Sequence, residues 1–377
     1  MSEVSDPVSW LVERRQLHRS QGGGALAGYL GFEFGWRLDK LNGGARRSAA
    51  PELWVGDFSA QSSFDHQSQR WTVNGRSQVD LDRAVGRLER AIVWEAEGEK
   101  SGGRRRTGLE VSPNHYQEIV ETGVRDIYGG EFFEVNYTER FFGEWSGSRS
   151  ALYDKFRRIA PGAFGGCLSV PQVFVASISP EQFLKVTAEG DVITRPIKGT
   201  RPRAEDPDED GRRARELLAS AKDRAENIMI VDLMRNDLTR VCELGSVRAT
   251  EICELHSFAS VHHLVSTVEG QLAQDLDALD ALLVAFPAGS ITGAPKLRAM
   301  EWIAAYEATP RGPYTGSLFY CTDQGDLDSN VLIRTAVFRD GQLDYGAGGA
   351  VVADSVAADE YEEALWKARP FFELLEQ

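Results

Sequence analysis

Two spacings of apolar residues alternate along the chain. From Gly22 to Trp36, GGGALAGYLGFEFGW mixes aromatic and small residues with the alternation of a strand, and ELWVGDFSA predicts a second, shorter one. Between Leu81 and Ala96 the apolar positions Leu81, Ala84, Val85, Leu88 and Ile92 follow helical spacing. EGEKSGGRRRTG carries charge and glycine without an apolar residue, so a loop or linker is expected there. Past it, Ser112 as N-cap and Pro113 in the first turn open a helix that runs to Tyr128. FFEVNYTERFFGEW predicts a strand, Ala151 to Ile159 a helix, and Gly166–Ile178 with Gln182–Thr187 a pair of strands. Glu189-Gly190-Asp191 marks a turn before VITRPIK.

The acidic AEDPDEDGRR reads as a surface loop or a helix start. Helical patterns follow at Arg212–Asp237, Leu276–Ala285, Pro295–Ala308 and Ala358–Leu375. Strand patterns lie between them, at Ser246–Glu254, His262–Gln271, Thr315–Cys321, Val331–Arg339 and Gly348–Val352. The short turns TDQGDLD and DGQLD favour antiparallel pairing. The fold class is therefore α+β, with helices packed against large, mostly antiparallel sheets.

Composition narrows the function. Hydrophobic residues make up 42% of the 377, enough for a large core. The 57 acidic and 42 basic side chains leave a net charge of −15, which argues against nucleic acid as a partner. No apolar run approaches the roughly 20 residues of a membrane span, and the first residues show no signal-peptide pattern. The four cysteines, Cys167, Cys242, Cys253 and Cys321, are scattered without a CxxC, as in reduced cytoplasmic proteins. A soluble cytoplasmic enzyme is expected.

Several segments carry candidate chemistry. Asp223 and Glu226 share one helical face, and Glu360, Glu363 and Lys367 share another. If the faces meet they form an oxygen-ligand site for Mg²⁺; otherwise they are solvated surface. In TRPIKGTRPR, Lys198 stands between isoleucine and glycine. Desolvation there would lower its pKa and free the amine as nucleophile or base, although a basic anion-binding loop or a surface turn explains the string equally well. Glu181, between VFVASI and FLKV, would have a raised pKa and could serve as a general acid; a plain turn glutamate after Pro180 is the simpler alternative. GSITGAPKLRAM lacks the ending of a phosphate loop, yet Ser290, Thr292 and the amides before Pro295 could form an anion pocket. GAGGAVV would let backbone approach a ligand closely, and Arg334 offers a fork to a carboxylate. Taken alone, His263 reads as structural and Cys167 as a small core residue.

SPEQF, TRPIKGTRPR, DRAENIMIVDLMRNDL, HHLVSTVEG, PAGSITGAPKLRAMEWI, GPYTGSLFY, IRTAV and GAGGAVVADS…DEYEEALWKA stand in this order from about Val111 to the C-terminus. In them the chain resembles the chorismate-utilising enzymes. The resemblance implies a sandwich of large antiparallel sheets with helices outside. It also implies one synthase domain over 1–377, with a shortened N-terminal subregion, 1–100, and a catalytic core, 111–377. PIKGT is the form of the aminodeoxychorismate synthases in that family, where anthranilate synthases typically carry alanine.

The roles implied by the resemblance are these. Glu181 is the general acid that assists loss of the C4 hydroxyl, and Lys198 adds at C2 before ammonia enters at C4. Glu226, Glu360 and Glu363 hold Mg²⁺, with Asp223 a weaker candidate. Tyr314, Arg334 and Lys367 receive carboxylates of chorismate, and Gly348, Gly349, Ser290 and His263 line the same pocket. The ammonia comes from a separate glutamine amidotransferase subunit, and the product leads to p-aminobenzoate and folate. Rival readings are anthranilate synthase, isochorismate synthase, and a non-catalytic chorismate-binding regulatory protein. The chain departs from the family pattern at Ala350, where a third glycine is usual, and at Glu134, where a glutamine is usual. The initial strands that often help form a tryptophan pocket are not expected, nor is tryptophan binding.

Overall fold

The structure is a computed structural model and describes residues 6–39, 41, 48–93, 102–109, 112–258 and 261–376. The first part runs α1 (Pro7–Gln21), β1 (Ala25–Leu30), α2 (Phe34–Leu38), β2 (Leu53–Phe58), β3 (Ala60–Asp65), β4 (Arg70–Gly75), α3 (Gln78–Val93) and β5 (Gly102–Leu109). The middle runs α4 (Pro113–Tyr128), β6 (Glu134–Ser146), α5 (Arg149–Ile159), β7 (Gly166–Ser169), β8 (Phe174–Ser177), β9 (Gln182–Val186), β10 (Asp191–Thr194), β11 (Ile197–Pro202), α6 (Pro207–Ala219) and α7 (Ala221–Thr239). The last part runs β12 (Arg248–Ser257), β13 (Val261–Gln271), α8 (Ala278–Ala285), β14 (Gly293–Ala294), α9 (Lys296–Tyr306), β15 (Ser317–Thr322), β16 (Leu327–Asn330), β17 (Thr335–Arg339), β18 (Gln342–Val351) and α10 (Ala357–Leu375).

Two large antiparallel sheets organise these elements. One has the order β11-β13-β10-β9-β16-β15-β1-β2, with β12 also on β13. The other has the order β14-β6-β18-β17-β8-β7, with β5 also on β6. Leu30 and Phe183 of the first sheet and Tyr137 and Val351 of the second belong to one buried cluster. That cluster also takes in α8, which buries Ala278, Leu279, Ala281, Leu282 and Ala285. Of the N-terminal strands, β1 and β2 belong to the first sheet, because β1 pairs along its length with β15, whereas β3 and β4 form a hairpin of their own. Among the described residues, no helix is long and apolar enough to cross a membrane.

Local signals placed most elements. Ser112 caps α4 by accepting from the amide of His115, and Asp277 closes a reciprocal capping box on α8. Several expectations need correction. The helix expected over Arg212–Asp237 is two helices, because Ser220 adopts an extended backbone, ends α6 and caps α7 through the amide of Asp223. GGRRRTG is not a loop but β5, an edge strand on β6; residues 97–101 lie outside the described residues. It lacks apolar residues because β6 supplies its hydrogen bonds, and Gly103 leaves room for Leu375.

Gly166–Ile178 and Gln182–Thr187 do not pair with each other. The first folds back on itself as β7 and β8, and β9 joins the other sheet. Only Ala25–Leu30 of the first expected strand is a strand; Phe34–Leu38 turns helical and buries Phe34 and Trp36. The strand expected from Val331 begins at Thr335, after Arg334 takes a left-handed backbone with φ +47°. Cys167 is exposed on β7 and is no core residue. Helix α1, the β3–β4 hairpin and β16 had no strong periodic signal.

Candidate active site

The acidic helices lie one against each sheet. Helix α7 packs on β13 and β11, and α10 packs on β18. They meet at Lys222, whose Nζ lies 4.0 Å from both Glu226 on α7 and Glu360 on α10. Beside this junction is a cavity of about 470 Å³. Of the residues singled out from sequence, Glu181, Lys198, Asp223, Glu226, His263, Ser290, Tyr314, Arg334, Gly348, Glu360, Glu363 and Lys367 all line it. Gly349 does not; a Cβ there would lie 2.9 Å from Glu360 Oε2, so it gives clearance to the α10 carboxylates. Thr292 does not form an anion pocket either, since its hydroxyl is buried and donates to the Ala288 carbonyl.

The backbone aims each group. Lys198 sits on β11 opposite Leu264, and the register shifts between Lys198 and Thr200. Gly199 is the extra residue of this bulge, at φ +80°, and a Cβ there would come within 2.9 Å of Asp223. Glu181 sits in the crossing from β8 to β9, where the chain changes sheets. Gly346 leaves space for the Tyr314 ring, which a Cβ would meet at 2.2 Å. Arg311, 1% exposed, ties the walls together by donating to the carbonyls of Ile291 and Asn136 while pairing with Glu307.

Electrostatics then separate the groups. Burial pushes the Glu181 carboxyl up to about 7, against the hydrogen bond it accepts from the Ser290 hydroxyl at 2.7 Å and the nearby Lys198 charge. It can hold a proton near neutrality and give it up, as a general acid must. Lys198 behaves otherwise than its apolar neighbours suggested. Burial pulls its pKa down, but Glu134 and Glu226 outweigh burial and hold the ammonium above the ordinary lysine range. Glu134, marked in the sequence only as a departure from the family pattern, is the reason: it accepts from Lys198 Nζ at 2.6 Å, an ion pair between strands far apart in the chain.

Burial, with Arg334 nearby, lowers His263 to about 4, so its ring is neutral at physiological pH. Its Nδ1 is engaged with Thr200, and Nε2 is buried without a protein partner. The Arg334 guanidinium makes no hydrogen bond or ion pair among the described residues and lines the cavity. Lys367 is committed to Glu363 at 2.6 Å and to the Gly348 carbonyl at 2.8 Å. Lys222, Arg201 and Asn136 also line the cavity unforeseen. Lys222 was legible as the i−4 neighbour of Glu226.

The donor set suits a hard cation. Burial pushes Glu226 up to about 7, with the Glu134 and Asp223 charges adding to it, and burial with Glu363 raises Glu360. Such raised proton affinities mark buried carboxylates whose charge the neighbouring lysines offset only in part. No three metal-ligating side chains form a ready-made cage among the described residues. Mg²⁺ keeps several waters and takes only one or two carboxylates plus oxygens of the substrate, so a site for it need not bring three together.

The fold and this pocket define an enzyme class. The profile of chorismate binding enzymes matches residues 3–373, and the chain belongs to that family. It is 37% identical to aminodeoxychorismate synthase component 1 of Escherichia coli, over 94% of this chain and 77% of that protein. It is 42% identical to anthranilate synthase component 1 of Thermus thermophilus, over 99% of this chain and 83% of that one. Its fold matches anthranilate synthase component I of Streptococcus pneumoniae with a TM-score of 0.86 at 29% identity, covering 98% and 86% of the two chains.

Proposed function

We propose that the chain is component 1 of an aminodeoxychorismate synthase, which converts chorismate and ammonia to 4-amino-4-deoxychorismate and water. The observation that carries this reading is an amine, Lys198, in the same cavity as Glu181, a carboxyl with a proton affinity near neutrality. Glu181 protonates the departing C4 hydroxyl while the neutral Lys198 amine adds at C2 and the two ring double bonds shift. Ammonia then adds at C4, the double bonds shift back, and the lysine leaves. The Glu181 carboxylate takes up the proton lost by the incoming nitrogen.

Arg334 provides a free fork for a substrate carboxylate, with Tyr314 and Lys367 in the same wall. His263, neutral, offers Nε2 to an oxygen of the substrate. Glu226, Glu360 and Glu363, with Asp223 a further candidate, would hold Mg²⁺, which would neutralise the ring carboxylate and polarise the leaving hydroxyl. The relatives' designation as component 1 supports a second subunit, a glutamine amidotransferase that supplies ammonia in the cytoplasm, and a product that feeds p-aminobenzoate and folate synthesis.

The test is to incubate the purified chain with chorismate, Mg²⁺ and ammonium and identify the product by mass and ultraviolet spectrum. Aminodeoxychorismate is expected, and Lys198→Ala is expected to lose at least about a hundredfold in rate while still binding chorismate. Anthranilate as product would move the chain to the second reading, which its 42% identity to the Thermus enzyme favours. Isochorismate would sink both. Binding without turnover, even with an amidotransferase present, would leave a regulatory binder.

A further inference from the structure

Adding to C2 requires that Lys198 lose its proton, and four carboxylates around the amine favour keeping it. The charged groups around the amine are Glu134 on β6, Glu226 on α7, Glu181 in the β8–β9 crossing and Glu363 on α10. Of these, Glu134 alone hydrogen-bonds it.

Glu134 is fixed more firmly than a charge-pairing residue needs to be. It is 0% exposed and opens β6, where its backbone is clamped against Ala294 of β14. Gly293, at φ +141°, makes that approach possible, since a Cβ would lie 2.1 Å from the Glu134 carbonyl oxygen. On its other side β6 pairs with β18, the strand that carries Gly346 and Gly348. Oε1 receives the Lys198 proton donor, and Oε2 is buried with no hydrogen-bond partner among the described residues. A buried carboxylate with one oxygen unengaged is costly, so its single partner holds it in place and is held by it. The side chain has no other polar contact to explain its presence.

We propose that Glu134 is the proton-holding partner of Lys198, a positioning residue that fixes the amine at the cavity wall and sets when it is free to react. This deepens the proposed reaction and rests on it for its catalytic meaning. At rest the pair is an ammonium and a carboxylate in contact. When the amine forms its bond to C2, the proton leaves Nζ along the existing hydrogen bond to Glu134 Oε1. When the lysine departs, the same proton returns, so no proton is gained or lost over the cycle. Without the Glu134 carboxylate, Lys198 loses the largest charge that offsets its burial, and its proton is held less tightly.

The experiment reads the lysine directly, in the full chain and without chorismate. Wild type and Glu134→Gln are labelled with acetic anhydride from pH 6 to 11, and acetylation of Lys198 is quantified by peptide mass spectrometry against the exposed Lys185. At about pH 7.5, Lys198 of Glu134→Gln is expected to label at least about tenfold more than in wild type, one pH unit of lost proton affinity. With chorismate and ammonium, the acid limb of kcat should move to lower pH in the variant while KM stays within about twofold. An unchanged Lys198 labelling profile would overturn the inference. If Glu134→Gln does not fold, Glu134→Asp decides. Its carboxylate is drawn back by one methylene, so labelling at least about threefold above wild type is expected, and a profile matching wild type overturns the proposal. Labelling needs no turnover, so a wild-type chain that makes no aminodeoxychorismate overturns the proposed reaction and leaves this result to stand or fall separately.

Discussion

Burial favours the neutral form of both Glu181 and Lys198, yet the two end in opposite states. Glu181 has one hydroxyl donor, one backbone amide and lysine charges that form no ion pair with it, too little to offset desolvation, so it keeps its proton up to about 7. Lys198 has a carboxylate in contact and three more nearby, so charge wins over desolvation. The Glu181 shift makes a stability prediction. Its folded pKa lies above the unfolded value near 4.3, so the folded state binds the proton more tightly. The resulting stabilisation is fully present below about pH 4.3 and is lost as pH rises through about 7. Glu181→Gln, which cannot ionise, should therefore gain relative to wild type between pH 5 and 8, by on the order of 3 kcal/mol, while losing synthase activity. Chemical denaturation at both pH values measures this, and a pH-independent difference would refute it. The sequence did point to Glu181 and Lys198, but it could not give the sign of the lysine's shift, because Glu134 lies 64 residues away along the chain.

At the scale of elements, helix caps and apolar periodicity were legible because they depend on neighbours within about four residues. Ser112 at α4 is such a case. Ser220 was read through, because a serine inside a helical pattern is tolerated unless the tertiary structure bends the chain there. The β5 edge strand was missed for the converse reason: its pairing comes from β6, not from its own composition. The β11 bulge is the element on which the site turns. Gly199→Ala must place a Cβ at φ +80° and against Asp223. A loss of about 1–3 kcal/mol in stability is expected, with a fall in activity beyond that of the folded fraction because Lys198 is displaced. Urea unfolding together with steady-state rates tests this; full activity in a folded variant would show that the bulge does not aim the lysine.

At the scale of the whole molecule, the two sheets bring α7 and α10 together, and their carboxylates concentrate part of the −15 net charge at one junction. A divalent cation there should stabilise the fold by mass action. Mg²⁺ at about a hundred times its Kd should add about 2.7 kcal/mol, seen as a raised unfolding midpoint that EDTA reverses. Glu360→Gln should lose most of that increment. A midpoint indifferent to Mg²⁺, with and without chorismate, would remove the metal from the reading.

The sequence by itself determined the α+β class, most helices and strands, and many of the polar and charged residues that line the cavity, because periodicity, caps and ordered motifs are written locally. It also set the surplus of acid. Only the tertiary structure decided that the acidic faces meet at Lys222, that Gly349 stands behind the cavity wall, and that Glu134 pairs with Lys198. Those outcomes depend on through-space distance in a buried, weakly screened site, where one carboxylate at 2.6 Å outweighs the lysine's loss of water.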